Sequence, residues 1–465
     1  MVSLFIPFFI AATLGIGFWA SKKVKTSEDF TLAGKSLSTA FVGVTLFATW
    51  FGSNQVVGNP AEFIQNGFST YVALTFGEGL CLFLVAIFFA KQLYKHNYRT
   101  IGDFIRERFN QKLEFAFSLI TILSYPHWIA AQLVALGFLF QSVLNISLVS
   151  GILLGALSVV VYTYVGGMWA VSYTDMVQSV LIVVGLIFLL FPLLDQVGGI
   201  ESALASQDES FYSLFPPPGL ENLSDFLATF LAIAVGALPG QEIYQRVFSA
   251  KSEKAAVRGL ILSSGLIILV STIPYLIAIA AIKVHPELAF LEDGQSLIPE
   301  LVNKFTPVPL QILFYGALIS AIMSTSSGAM LAPATVIGEN LVKPYFKGLS
   351  DKNLLLFTRL SILLVAIISC AIAITQSNII DLLVASLSLM FSSLVVPFIF
   401  GVHWKRANST GAWASILAGG GTWFICYLLE TTIDSTLYGI CASLLGMLLG
   451  SFFGKKALVP VQRKD

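Results

Sequence analysis

The run Ala321-Ile-Met-Ser-Thr-Ser-Ser327 puts four hydroxyls into an otherwise apolar stretch. Ser324 and Thr325 stand three and four residues after Ala321, so on a helix both share a face with that residue's carbonyl. Three such oxygens suit a hard cation, which prefers carbonyls and hydroxyls to thiols. The competing use of these hydroxyls is a bond back to the carbonyl four residues earlier in their own helix. Two acids stand out elsewhere. Glu78 is alone in the middle of its apolar stretch, and Asp175 lies near the inner end of another. An acid is costly to hold there, so its default reading is functional. Trp50 and Trp128 offer aromatic faces to a ring or an ammonium group. Arg246 has two readings: an inner gate with Asp175, or an ordinary i,i+4 salt bridge with Glu242 at the cytoplasmic end.

The elements that must position these residues are membrane spans. The chain is 56% apolar and 11% charged, with zero formal net charge and a mean hydropathy of +0.84. A soluble domain of this length does not look like that, and no nucleic-acid surface is implied. Apolar stretches cover 2–20, 38–58, 70–90, 115–143, 146–168, 172–194, 222–246, 255–282, 306–341, 353–375, 379–402, 408–429 and 435–454. Most are about 20 residues long, enough to cross a ~30 Å hydrocarbon core. If the loops alternate sides, all of the 26 Lys and Arg except Lys283 and Lys304 fall on one side. The positive-inside rule then places the N-terminus outside and the C-terminus in the cytoplasm of an inner or plasma membrane. The outer loop 195–221 carries acids and no base, and reads as solvated. The four cysteines lie inside spans and read as small apolar residues, without a disulfide framework.

Two spans are unlike the rest. The second reads Phe47-Ala-Thr-Trp-Phe-Gly-Ser-Asn-Gln-Val-Val-Gly-Asn-Pro60, and the seventh Ala234-Val-Gly-Ala-Leu-Pro-Gly-Gln-Glu-Ile-Tyr-Gln-Arg246. Gly and Pro weaken the helix there, and the freed backbone groups need partners. The two lie five spans apart, so spans 2–6 and 7–11 form two five-helix units of opposite topology, the first over 38–194 and the second within 222–429, which also holds span 12. The peripheral helices are 1–20 and 435–454. Broken helices in matching places of inverted units point to a midplane transport site. Its candidate lining is Trp50, Asn54, Gln55, Glu78, His127, Trp128, Gln132 and Gln241, with His127 read as an ordinary structural histidine.

The chain resembles the sodium:solute symporters, the family of sodium–sugar, sodium–proline and sodium–choline carriers. The resemblance rests on Gly166-Gly-Met-Trp-Ala-Val-Ser-Tyr-Thr-Asp-Met-Val-Gln178, on Ala321-Ile-Met-Ser-Thr-Ser-Ser327, and on Gln245-Arg246 with Ala250-Lys-Ser252. It implies an all-α integral membrane protein with a LeuT-like 5+5 inverted repeat and about thirteen transmembrane helices. It also implies a sodium ion held by the Ala321 carbonyl, Ser324 and Thr325, with the carbonyls of Ala48 and Phe51. Asp175, Ser324 and Ser327 would form a second sodium site, although the next residue, Gly328, brings no hydroxyl. Ala48-Thr-Trp50, Pro60-Ala-Glu62, Trp128 and Leu238-Pro-Gly-Gln241 look most like the choline branch. Gly240 stands where that branch has an aromatic residue. The implied function is sodium-coupled import of a small amine or zwitterion. The alternatives are a sugar or monocarboxylate symporter, or a sensor that borrows the transporter fold. The expected partners are the solute, sodium ions and the bilayer, with no obligate protein partner and no catalytic residue.

Overall fold

The computed structural model describes residues 2–205, 207–291, 294–346 and 348–454. Lys347, Lys455, Lys456, Arg463 and Lys464, all used in the charge argument, lie outside them. The apolar stretches are helical apart from short interruptions, chiefly at 51–52 and 237–240. They form α1 (Val2–Ser21), α2 (Thr39–Trp50), α3 (Asn54–Asn66), α4 (Phe68–Tyr94), α5 (Gln111–Leu144), α6 (Leu148–Val197) and α7 (Leu220–Ser249). There follow α8 (Glu253–Val284), α9 (Val308–Val342), α10 (Asp351–Thr375), α11 (Ile379–Ser393), α12 (Val395–His403), α13 (Ser409–Leu428) and α14 (Ser435–Phe453). Among the described residues, nine helices are long and apolar enough to cross a membrane, and the bent pairs α2–α3 and α11–α12 raise this to eleven. The expected count of thirteen exceeds these eleven, and the difference lies in α6, read as two spans, and in α13.

Dividing α6 is physically required. Its 50 residues would run to ~75 Å as one helix, more than twice the ~30 Å apolar core. The division is at Gly167, whose φ of 50° and ψ of −140° are left-handed and essentially closed to other residues. A Cβ there would also strike the Phe30 ring. Gly167→Ala is therefore expected to cost about 1–3 kcal/mol in strain, before the clash is counted. A lowered midpoint of thermal unfolding in detergent would show it, and an unchanged midpoint would contradict it.

The pairings that matter for the site are α6 on α9, α8 on α2 and α5 on α11. The loops that the charge pattern put on one side do meet. Arg99, after α4, pairs with Glu28 at 3.0 Å and with Glu339 of α9 at 2.6 Å. Arg108 donates to the carbonyls of Gly401 and Ala407, near the end of α12, at 2.9 Å each. On the other side, Lys283 donates to Ser202 and Lys304 pairs with Glu300 at 2.6 Å. The outer loop is less solvated than its composition suggests. Phe211 stacks edge-on against Phe63 of α3 and Phe68 of α4, at 5.1 and 6.1 Å.

Candidate substrate and ion site

α2 stops at Trp50 because Phe51 leaves the helical region (φ −87°, ψ 79°), and α3 departs at 59°. The backbone groups freed by the break find side chains. Ser53 N donates to Gln132 Oε1 on α5 at 2.8 Å. The Ala48 carbonyl accepts from Thr325 Oγ1 on α9 at 3.3 Å. Between them a Cβ on Gly52 would lie 2.6 Å from Gln132 Oε1 and 2.9 Å from Thr325 Oγ1, so only glycine fits. Ala48, Phe51, Ala321, Ser324 and Thr325 are all fully buried.

Ser324 and Thr325 do not share a partner. Adjacent residues on a helix point about 100° apart, and Ser324 Oγ donates to Asp175 Oδ1 of α6 at 2.8 Å. Neither hydroxyl bonds back to its own helix. Ser326 does, to the Ile322 carbonyl at 2.7 Å, and Ser327 bonds to the Ser324 carbonyl at 3.0 Å. Ser327 thus donates within its own helix, as Ser326 does.

Arg246 and Asp175 are both wholly buried, with Nη2 and Oδ2 4.0 Å apart. Arg246 also donates to Thr49 Oγ1 at 2.6 Å and to the backbone carbonyl of Glu242 at 3.1 Å. Gly328 makes this possible, since a Cβ there would lie 2.7 Å from both Arg246 Nη2 and Thr49. The missing hydroxyl at 328 is thus room for a guanidinium. The expected Glu242–Arg246 salt bridge does not form. Arg246 touches only the Glu242 backbone, and the Glu242 side chain turns the other way. It accepts from Trp50 Nε1 at 3.2 Å and from the Tyr125 hydroxyl.

A narrow cavity lies between these elements, with ≈ 410 Å³ of atom-free space including its open mouth. It is lined by Trp50, Asn54, Glu78 and Trp128, together with Glu242, Ile233, Ala237, Leu383, Ser386 and Leu387. Four of the anticipated residues thus share one space. Gln55 stands just behind, donating with Asn54 to the two oxygens of Glu78. Gln132 belongs to the α2 break instead. Gln241 is not in the cavity, because its Oε1 accepts from the backbone N–H of Ile101 at 3.0 Å. His127, next to Trp128, does not line it either. Glu242 and Tyr125 were not anticipated as site residues. The available signal was an unexplained acid one residue beyond the second helix break, of the same kind as Glu78.

The model of the sodium:solute symporter family matches residues 30–419. The high-affinity choline transporter 1 of Caenorhabditis elegans is 26% identical over 443 residues, covering 89% of this chain and 76% of that protein. The high-affinity proline transporter PutP of Bacillus subtilis is 27% identical over 456 residues, covering 94% of each. The solved structure of a Na+-coupled sialic acid symporter in a substrate-bound outward-open state superposes with a TM-score of 0.84 at 20% identity, covering 98% of each chain. That likeness carries the fold, an all-helical LeuT-like arrangement. The family and these relatives are transporters and not enzymes. The chain is an integral, multi-pass membrane protein and belongs to the sodium:solute symporter family.

Proposed function

We propose that the protein couples inward sodium flow to import of a small nitrogenous solute, an amine or a zwitterion, by alternating access. The observation that carries this is the meeting of Thr325 on α9 with the Ala48 carbonyl at the break in α2, next to a cavity with aromatic walls and two acids. Ala48, Phe51, Ala321 and Thr325 would offer oxygens to sodium. Ser324 would join them by turning from Asp175, which links the ion to the buried pair below. For Asp175 the gate reading is favoured over a second sodium with Ser327. A cation bound there would face the Arg246 guanidinium. One charge moved through 100 mV supplies about 2.3 kcal/mol, to which the sodium gradient adds.

The wider frame is one domain over 1–465, with repeats 38–194 and 222–429, peripheral helices 1–20 and 435–454, the N-terminus outside and the C-terminus cytoplasmic. The cavity lining holds no Lys, Arg or His, which disfavours a monocarboxylate. A sugar is left with two acids and a single lining amide. The test is thermal stabilisation of the purified protein by a panel of amines, amino acids, sugars and carboxylates, with and without sodium. A nitrogenous solute should stabilise only when sodium is present. Trp50→Ala should weaken its binding about tenfold, the value of one desolvated cation–π contact. A sugar or monocarboxylate as the sole sodium-dependent ligand, unaffected by Trp50→Ala, would overturn the solute reading.

A further inference from the structure

Five carboxylates are buried among the described residues: Glu78, Glu114, Asp175, Glu242 and Glu339. Three have a cation within 4 Å. Arg106 serves Glu114, Arg246 serves Asp175, and Arg99 with Lys343 serves Glu339. Glu78 and Glu242 have none among the described residues, and these two line the same cavity. An unpaired charge in a dry interior is expensive, and such an acid takes up a proton unless an opposite charge or several hydrogen bonds compensate it.

The bonds that are present are all from neutral groups. Glu78 takes one each from Asn54 and Gln55. Glu242 takes one from Trp50 and one from Tyr125. In each acid both oxygens accept, and each oxygen keeps a second lone pair. A third acceptor points the same way. Asn54 lines the cavity, is 2% exposed, and its Oδ1 has no partner. Trp50 Nε1 and the Tyr125 hydroxyl spend their single donors on Glu242, and Asn54 and Gln55 each spend one of two amide N–H groups on Glu78. The polar lining thus holds two acids and an unpartnered amide oxygen, beside the Ser386 hydroxyl and the N–H groups of Asn54 and Trp128, and no Lys, Arg or His.

We infer that Glu78 and Glu242 are the two arms of a clamp, and that the transported solute carries two protonated amino groups, one for each arm, with its carbon chain against Trp50 and Trp128. This rests on the proposed symport function and narrows it. A zwitterion's carboxylate would face two acids with no cation to receive it, and a single ammonium would leave one arm uncompensated.

The test uses the full-length protein in detergent, with sodium-dependent binding of 1,4-diaminobutane and 1,5-diaminopentane compared with n-butylamine, choline, glycine betaine and proline. The diamines should bind about tenfold or more tightly than the monoamine, the value of one further charge-assisted contact. Glu242→Gln should remove that preference while keeping sodium dependence. Should Glu242→Gln fail to fold, Glu242→Asp keeps the charge on a shorter arm and should change the preferred diamine length. A wild type that binds choline, betaine or proline as tightly as either diamine overturns the clamp and leaves sodium coupling standing. So does a diamine preference unchanged in Glu242→Gln, or no stabilisation by either diamine. Diamine binding that is indifferent to sodium supports the clamp and counts against symport.

Discussion

Arg246→Gln is expected to lower stability by about 3–5 kcal/mol, the usual cost of stranding one member of a buried ion pair, and to abolish uptake. Both partners are fully buried, and among the described residues Thr49 and the Glu242 carbonyl are the other groups bonded to the guanidinium. Without it, Asp175 keeps one hydrogen bond, from Ser324. The double change Asp175→Asn with Arg246→Gln should recover most of the lost thermal midpoint, because it removes both charges, and a charge-swapped pair should recover some transport. Asp175→Asn alone should leave the ion-to-solute ratio unchanged if the pair is a gate. A lowered ratio would instead assign Asp175 to a second sodium. Wild-type midpoint, uptake rate and ion-to-solute ratio in Asp175→Asn would dispose of both roles.

The helices were legible because lipid leaves little freedom. Spans must be apolar and must satisfy their own backbone, so composition alone located them, and Gly52, Pro239 and Gly240 marked the two breaks. The direction of individual side chains was not legible. Counting i,i+4 along α7 pairs Glu242 with Arg246. But the break ends just before Gln241, where the helix restarts with Gly240 as its N-cap, so Glu242 sits in a first turn open to other elements. The groups that claim its carboxylate, Trp50 and Tyr125, lie 192 and 117 residues away, and no local pattern encodes them. The same applies to Gln241, taken by the start of the Ile101–Arg108 helix. The 46° bend between α11 and α12 was read as a continuous span. Ser392-Ser393 followed by Pro397 was its signal, since serine pairs and proline are common causes of kinks. The boundary within α6 was placed a residue or more too late, after 168 instead of at Gly167.

Adjacent Ser324 and Thr325 give the sharpest remaining discrimination, because the sequence treats them as one pair and the structure gives them different neighbours. Thr325→Ala should raise the sodium concentration for half-maximal uptake about tenfold to a hundredfold, the value of one oxygen lost to a charged ligand. It also frees the Ala48 carbonyl of its one side-chain donor among the described residues. Thr325→Ser keeps the oxygen and should stay near wild type. Ser324→Ala should act by another route. It withdraws the hydrogen bond from Asp175 and leaves that acid with Arg246 alone, so its main effect should fall on the maximal rate of uptake, with a smaller change in sodium dependence. Uptake by the reconstituted single and double variants, measured against sodium at saturating solute, separates the two. Identical profiles for the two single variants would mean that both hydroxyls bind the same ion and that the Asp175 contact is incidental. An unchanged sodium curve in the double variant would move the ion away from α9 altogether.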